Sequence, residues 1–122
     1  MKNILIIGCG LIGSSLLRAI SQNKVTKEIF VYEKSKTNIS KIKKLKLPCT
    51  IINDFKQVVP NIELIIICTP LSEYREIILK LNKYLLPKVI ITDVGSSKEK
   101  SLDVIKKTLK KGISWTSSHP IA

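Results

Sequence analysis

Short apolar runs alternate with amphipathic segments along the whole chain, and this alternation constrains the fold more than any other feature. Asn3–Ile7, Glu28–Tyr32, Thr50–Ile52, Leu64–Cys68, Val89–Thr92 and Ile113–Thr116 read as strands, rich in isoleucine and bounded by turn signals. Helical spacing marks Leu11 to about Gln22, then a lysine-rich segment up to about Lys46. A weak helical turn falls around Phe55 to Val59. Ser72 caps a helix on which Tyr74, Ile77, Ile78, Leu81 and Leu85 recur, and a last helix through Leu102, Ile105 and Leu109 ends at Gly112. Each parallel strand pair needs a crossover, so strict β-α alternation implies a parallel sheet with helices on both faces. The expectation is a single α/β domain: a doubly wound parallel sheet of six strands in the order 3-2-1-4-5-6. A length of 122 residues with 44% hydrophobic but only 5% aromatic content suits one such sheet, buried on both sides.

The first strand runs directly into Gly8-Cys9-Gly10-Leu11-Ile12-Gly13, a G-x-G-x-x-G spacing at a strand-to-helix turn. Gly8 permits the tight turn, and Gly10 lets the backbone approach a pyrophosphate. Gly13 lets the helix pack close on the strand, while the N–H groups of the helix start, at Leu11, Ile12 and Gly13, face the anion. Cys9 reads as a small filler. The second strand ends on Glu33, about 20 residues beyond the last glycine, where a carboxylate receives the ribose hydroxyls of a dinucleotide. Strand, turn, helix and acid together predict a Rossmann-type domain that binds a nicotinamide or flavin dinucleotide. Glu33 favours NAD over NADP because it repels a 2′-phosphate; Lys34 and Lys36 leave NADP possible.

Ligands in doubly wound sheets lie outside the carboxyl ends of the strands. Thr69-Pro70, Gly95-Ser96 and His119 all fall there, so they are expected to converge on the nicotinamide side of the crevice. Imidazole titrates near working pH and suits uptake of a hydroxyl proton as hydride leaves a carbinol carbon. Pro120 biases His119 toward an extended backbone. Ser96-x-x-Glu99 is also a capping box, and a helix start welcomes a substrate carboxylate. Lys98 either attracts that anion or is solvated. Asp93 reads as a turn-forming or backbone-bonding residue.

The formal charge of +12 is concentrated in part at Lys34, Lys36, Lys41, Lys43, Lys44 and Lys46. Ile39, Ile42 and Leu45 give that segment an apolar face, and no aromatic residues interleave to stack bases. It reads as a solvated helix face rather than a nucleic-acid surface. No stretch approaches the roughly 18 apolar residues of a membrane span. Cys9, Cys49 and Cys68, scattered in apolar surroundings with a single histidine in the chain, predict buried reduced thiols, no metal and a cytoplasmic location.

Gly8-Cys9-Gly10-Leu11-Ile12-Gly13-Ser14-Ser15-Leu16, Asp93-Val94-Gly95-Ser96-Ser97-Lys98 and His119-Pro120-Ile121-Ala122, in that order, resemble the nucleotide-binding domain of prephenate and arogenate dehydrogenases. The likeness covers the whole chain. It implies NAD(P)-dependent oxidative decarboxylation of prephenate to 4-hydroxyphenylpyruvate, in tyrosine biosynthesis, with arogenate as the alternative substrate. It implies that His119 hydrogen-bonds and polarises the ring hydroxyl and that Ser96 orients substrate and nicotinamide. Family members continue into a helical domain that completes the substrate pocket and the dimer interface. That domain is absent from residues 1–122, which are therefore expected to bind cofactor without turnover and to be monomeric or weakly associated. Arg18 and Arg75 sit in helices, so no arginine is placed to clamp a second carboxylate. A stand-alone NAD-sensing module would share the glycine turn and the strand-two acid but needs no histidine beyond strand six. An imine-reducing dehydrogenase on this fold would lack Gly95-Ser96-Ser97-Lys98 followed by His-Pro.

Overall fold

The computed structural model describes residues 3–8, 10–23, 28–56, 58–94 and 98–117; for 11, 12, 98, 99, 101 and 117 it describes the backbone alone. The strands are β1 (Asn3–Ile7), β2 (Glu28–Tyr32), β3 (Thr50–Ile52), β4 (Leu64–Ile67), β5 (Ile90–Asp93) and β6 (Ser114–Ser117). They form one all-parallel sheet in the order β3-β2-β1-β4-β5-β6, as the alternation predicts. The helices are α1 (Leu11–Asn23), α2 (Lys36–Leu45), α3 (Tyr74–Asn82) and α4 (Lys98–Thr108).

Burial on both faces explains the continuous apolar runs. In β1, Leu5 and Ile7 point into one core, shared with Ile65, Ile67, Tyr74, Ile77, Ile78 and Leu81. Ile4 and Ile6 point into the other, with Leu17, Ile20, Val31 and Ile42. Side chains of a strand alternate between faces, so a run without polar residues fits only a strand covered twice. The lysines of α2 are exposed while Ile42 is 2% exposed, so this helix presents a solvated lysine face over an apolar one. Arg18 and Arg75 are also exposed.

Several boundaries differ from the sequence reading, each for a nameable reason. Ser72 does not cap α3. It lies inside a 3-10 turn, Leu71–Glu73, which Pro70 starts and in which the Glu73 N–H donates to the Pro70 carbonyl at 3.0 Å. Leu85 lies past the end of α3, yet its N–H still bonds the Leu81 carbonyl at 3.2 Å and its side chain is buried. The expected turn at Phe55 to Val59 settles as a 3-10 turn at Val59–Asn61. α4 stops at Thr108, short of Gly112, because Asn82 of α3 ties it off. The Asn82 side chain donates to the Thr108 carbonyl at 2.8 Å and accepts from the Lys110 N–H at 3.0 Å. A cap reaching in from another helix leaves no local sequence signal.

One residue reading is corrected and one is extended. Cys49 and Cys68 are reduced but only half-buried. Asp93 is the last residue of β5, 4% exposed, and its Oδ2 accepts from the Tyr74 hydroxyl at 2.9 Å. A buried carboxylate is tolerable only when bonded in this way. The contact joins the carboxyl end of β5 to the start of α3.

Candidate functional site: a crevice at the switch point

Strand order reverses between β1 and β4, and there the carboxyl ends of three strands come level: Ile7 is opposite both Tyr32 and Ile67. Connections leave this point in opposite directions, which opens a crevice. Its cavity volume is about 340 Å³, with buried Gly8 at the floor and exposed Gly10 at its open edge. Tyr32 to Ser35 and Asn38 form one wall, and Cys68 to Pro70, Glu73 and Ile77 form the other.

The floor is packed backbone. Gly8 has φ +85°, a region L side chains rarely adopt, and a Cβ there would lie 2.6 Å from Thr69 Cγ2. A Cβ on Gly13 would overlap the Gly8 carbonyl oxygen. These two glycines allow β1, α1 and the end of β4 to touch. The Gly8 N–H donates to the Tyr32 carbonyl at 2.8 Å, and the Gly10 carbonyl accepts the first helical bond, from the Ser14 N–H, at 2.9 Å. α1 thus begins at Leu11, Ile12 and Gly13. The first N–H groups of a helix have no partner within it and carry the positive end of its dipole.

Gly10 differs from its neighbours. A Cβ there would meet nothing within 4 Å. The packing of this chain gives no reason for glycine at that position; open space toward the crevice does.

The rim is polar. Glu33 is half-buried beyond β2, and both its oxygens are engaged: Asn38 Nδ2 donates to Oε1 at 2.6 Å and the Lys34 N–H to Oε2 at 3.1 Å. Asn38 is placed by the start of α2, where the Ser35 hydroxyl accepts the Asn38 N–H. The Lys34 ammonium lies 3.3 Å from Glu76 Oε1 and 3.8 Å from Glu73 Oε1, and Glu76 Oε1 also takes Lys80 at 3.3 Å. The hydrogen bond it donates to Glu76 holds the Lys34 ammonium above its ordinary 10.5. Lys80 first, then Lys34, hold the Glu76 carboxyl below its ordinary 4.5. All these groups are exposed, so salt and solvent screen them strongly. On the opposite wall Pro70 is exposed and Thr69 half-buried, with Thr69 Oγ1 sealed from solvent and without a hydrogen-bond partner.

The structure therefore brings together Gly8, Gly10, Leu11, Ile12, Gly13, Glu33, Thr69 and Pro70 around one turn and its crevice. Gly95, Ser96, His119, Pro120 and Cys9 lie outside the described residues. Sequence reasoning passed over Asn38, Glu73, Glu76 and Ile77. The Ser35-x-x-Asn38 spacing behind Glu33 was a legible cap signal. Glu76 was not legible, being 42 residues from Lys34. Among the described residues no cluster of His, Cys, Asp or Glu is arranged to hold a metal, and no helix is long and apolar enough to cross a membrane.

Comparison with known proteins adds an independent line. Residues 16–122 match the family model described as prephenate dehydrogenase, nucleotide-binding domain. That match begins beyond the glycine turn, so turn and family are separate observations. The chain is 31% identical over 121 residues to cyclohexadienyl dehydrogenase of Zymomonas mobilis, covering 99% of this chain and 41% of the relative. It is 30% identical over 120 residues to prephenate dehydrogenase of Bacillus subtilis, covering 98% of this chain and 32% of that one. Its fold superposes with a TM-score of 0.83 on prephenate dehydrogenase from A. aeolicus, solved with hydroxyphenyl propionate and NAD+. There the identity is 27%, over 99% of this chain and 42% of the other. The chain thus spans less than half the length of each of these proteins.

Proposed function

This chain belongs to the prephenate dehydrogenase nucleotide-binding domain family, and from that premise we propose that it holds the NAD half of an enzyme that oxidatively decarboxylates prephenate. The observation that carries the cofactor assignment is the open face of Gly10 at the edge of a crevice that leads to Glu33. The residues present fit a dinucleotide. Gly10 leaves the space a pyrophosphate needs, and the start of α1 at Leu11, Ile12 and Gly13 offers N–H groups and a positive dipole end to it. Thr69 and Pro70 line the same space, and among the described residues nothing hydrogen-bonds the Thr69 hydroxyl.

When bound, NAD supplies the hydride acceptor. The chain's own work is to seat it and to manage the substrate proton. Glu33, held by Asn38, accepts the ribose hydroxyls, and its charge disfavours a 2′-phosphate, so NAD is preferred and NADP is the weaker ligand. Gly95 and Ser96 border the nicotinamide, Ser96 orients the substrate, and His119 hydrogen-bonds the ring hydroxyl whose proton must be taken up. The substrate is prephenate, with arogenate the alternative. The remaining substrate contacts and the dimer interface come from a helical domain outside residues 1–122. A cytoplasmic location in tyrosine biosynthesis goes with this reading, and the reduced Cys49 and Cys68 suit a reducing compartment.

Titration of the purified chain with NAD+ and NADP+ tests the cofactor assignment. NAD+ should bind more tightly, and Glu33→Gln should weaken it about tenfold, the scale of one charge-assisted hydrogen bond. Absence of dinucleotide binding would sink the assignment. Residues 1–122 should produce negligible NADH from prephenate, because substrate held loosely costs orders of magnitude in rate.

A further inference from the structure

Lys34 follows Glu33 directly and lines the same crevice. A lysine is a compact charge on a flexible four-carbon stem, and from this position it could serve a phosphate on the ribose as readily as Glu33 opposes one. The structure shows it occupied elsewhere. Its ammonium is turned across the crevice to the start of α3, 3.3 Å from Glu76 in the first turn of that helix and 3.8 Å from Glu73 on the crevice wall opposite Glu33. Lys36, the next cation along, is exposed and is not part of the crevice wall.

Resting on the dinucleotide reading above, we infer that Glu73 and Glu76 are specificity-determining residues: by holding Lys34 against α3 they withhold its charge from a 2′-phosphate and keep the crevice selective for a ribose diol. The local charges agree. Glu33, Glu73 and Glu76 stand against Lys34 and Lys80, so this end of the crevice keeps an excess of negative charge while the network is intact. The hydrogen bond to Glu76 raises the Lys34 ammonium, and Lys80 first, then Lys34, lower the Glu76 carboxyl. Freed of its partners, Lys34 would stand beside the ribose site as an unneutralised cation.

NAD+ and NADP+ are titrated into the wild-type chain, the Glu73→Gln/Glu76→Gln variant, and the same variant carrying Lys34→Ala. The ratio of NADP+ to NAD+ affinity should rise about three- to tenfold in the double variant, the scale of exposed ion pairs released. Most of that gain should vanish when Lys34 is removed. An unmoved ratio in the double variant would overturn the inference. So would a gain that survives Lys34→Ala, since repulsion by the carboxylates alone would then account for it. Failure of the wild-type chain to bind either dinucleotide would instead overturn the reading on which the inference rests.

Discussion

The floor of the crevice and its rim use similar residues for opposite purposes. On the floor, Gly8 and Gly13 are glycines because neighbouring atoms of the chain occupy the space of a side chain. At the edge, Gly10 is a glycine although, among the described residues, no atom lies within 4 Å of where its Cβ would stand. The charged rim has the same character, since its ion pairs are exposed and contribute little to holding the domain together. A G-x-G-x-x-G motif is therefore two devices in one spacing. Two glycines build the turn, and one leaves room for something that is not protein.

The largest expected effect is on the floor. Gly13→Ala forces a Cβ into the Gly8 carbonyl, and both backbones are pinned by β1 and α1. Denaturant unfolding should show a loss of about 3 kcal/mol, the upper end for overpacking. A loss below about 1 kcal/mol would mean that floor and rim do not differ as described.

Gly10→Val should do the reverse. NAD+ affinity should fall at least about a hundredfold, near 2.7 kcal/mol, while the thermal midpoint moves by no more than about 2 °C. A folded variant that binds as the wild type does would place the cofactor elsewhere.

Thr69→Val sharpens the boundary between the two regions. Its hydroxyl is sealed and lacks a partner, while its methyl lies against the Gly8 turn. Replacing the hydroxyl by a methyl should stabilise the ligand-free domain by about 1 kcal/mol and weaken NAD+ binding about fivefold, the size of one lost hydrogen bond. Loss of stability without loss of affinity would make Thr69 a purely structural part of the floor.

The smallest effect lies on the rim and depends on pH. The Glu76 carboxyl is held below 4.5, so whatever stability it adds is complete above that value and is lost as pH falls through the lower folded midpoint. NMR titration should place that midpoint below 4.5, moving back toward it in about 1 M salt. A midpoint indifferent to salt would contradict an exposed, screened network.

Much of this was legible from local pattern. The isoleucine-rich runs forecast a sheet covered twice, the β-α alternation forecast its strand order, and the glycine spacing with Glu33 located the crevice. Most of what was missed shares one cause, a partner distant in sequence. The Tyr74 hydroxyl was not foreseen as a partner of Asp93 because it comes from another element 19 positions earlier. The end of α4 was placed too late because Asn82 of α3 supplies the cap. Ser72 looked like a cap because the Pro70 turn that displaces it is backbone geometry rather than side-chain pattern.

The sequence by itself determined where most strands and helices fall, how the strands must be ordered, and that Gly8, Gly10 and Gly13 share one strand-to-helix turn with Glu33 at the end of the next strand. Those are matters of periodicity, crossover handedness and backbone freedom, all encoded within a few neighbouring residues. Only the tertiary structure decided that Gly10 alone of these glycines faces open space, that Asn38 holds Glu33, and that Lys34 is claimed by Glu73 and Glu76. Clearances and charge pairings depend on where separate elements come to rest against each other, to within an ångström or so, and no local pattern records that distance.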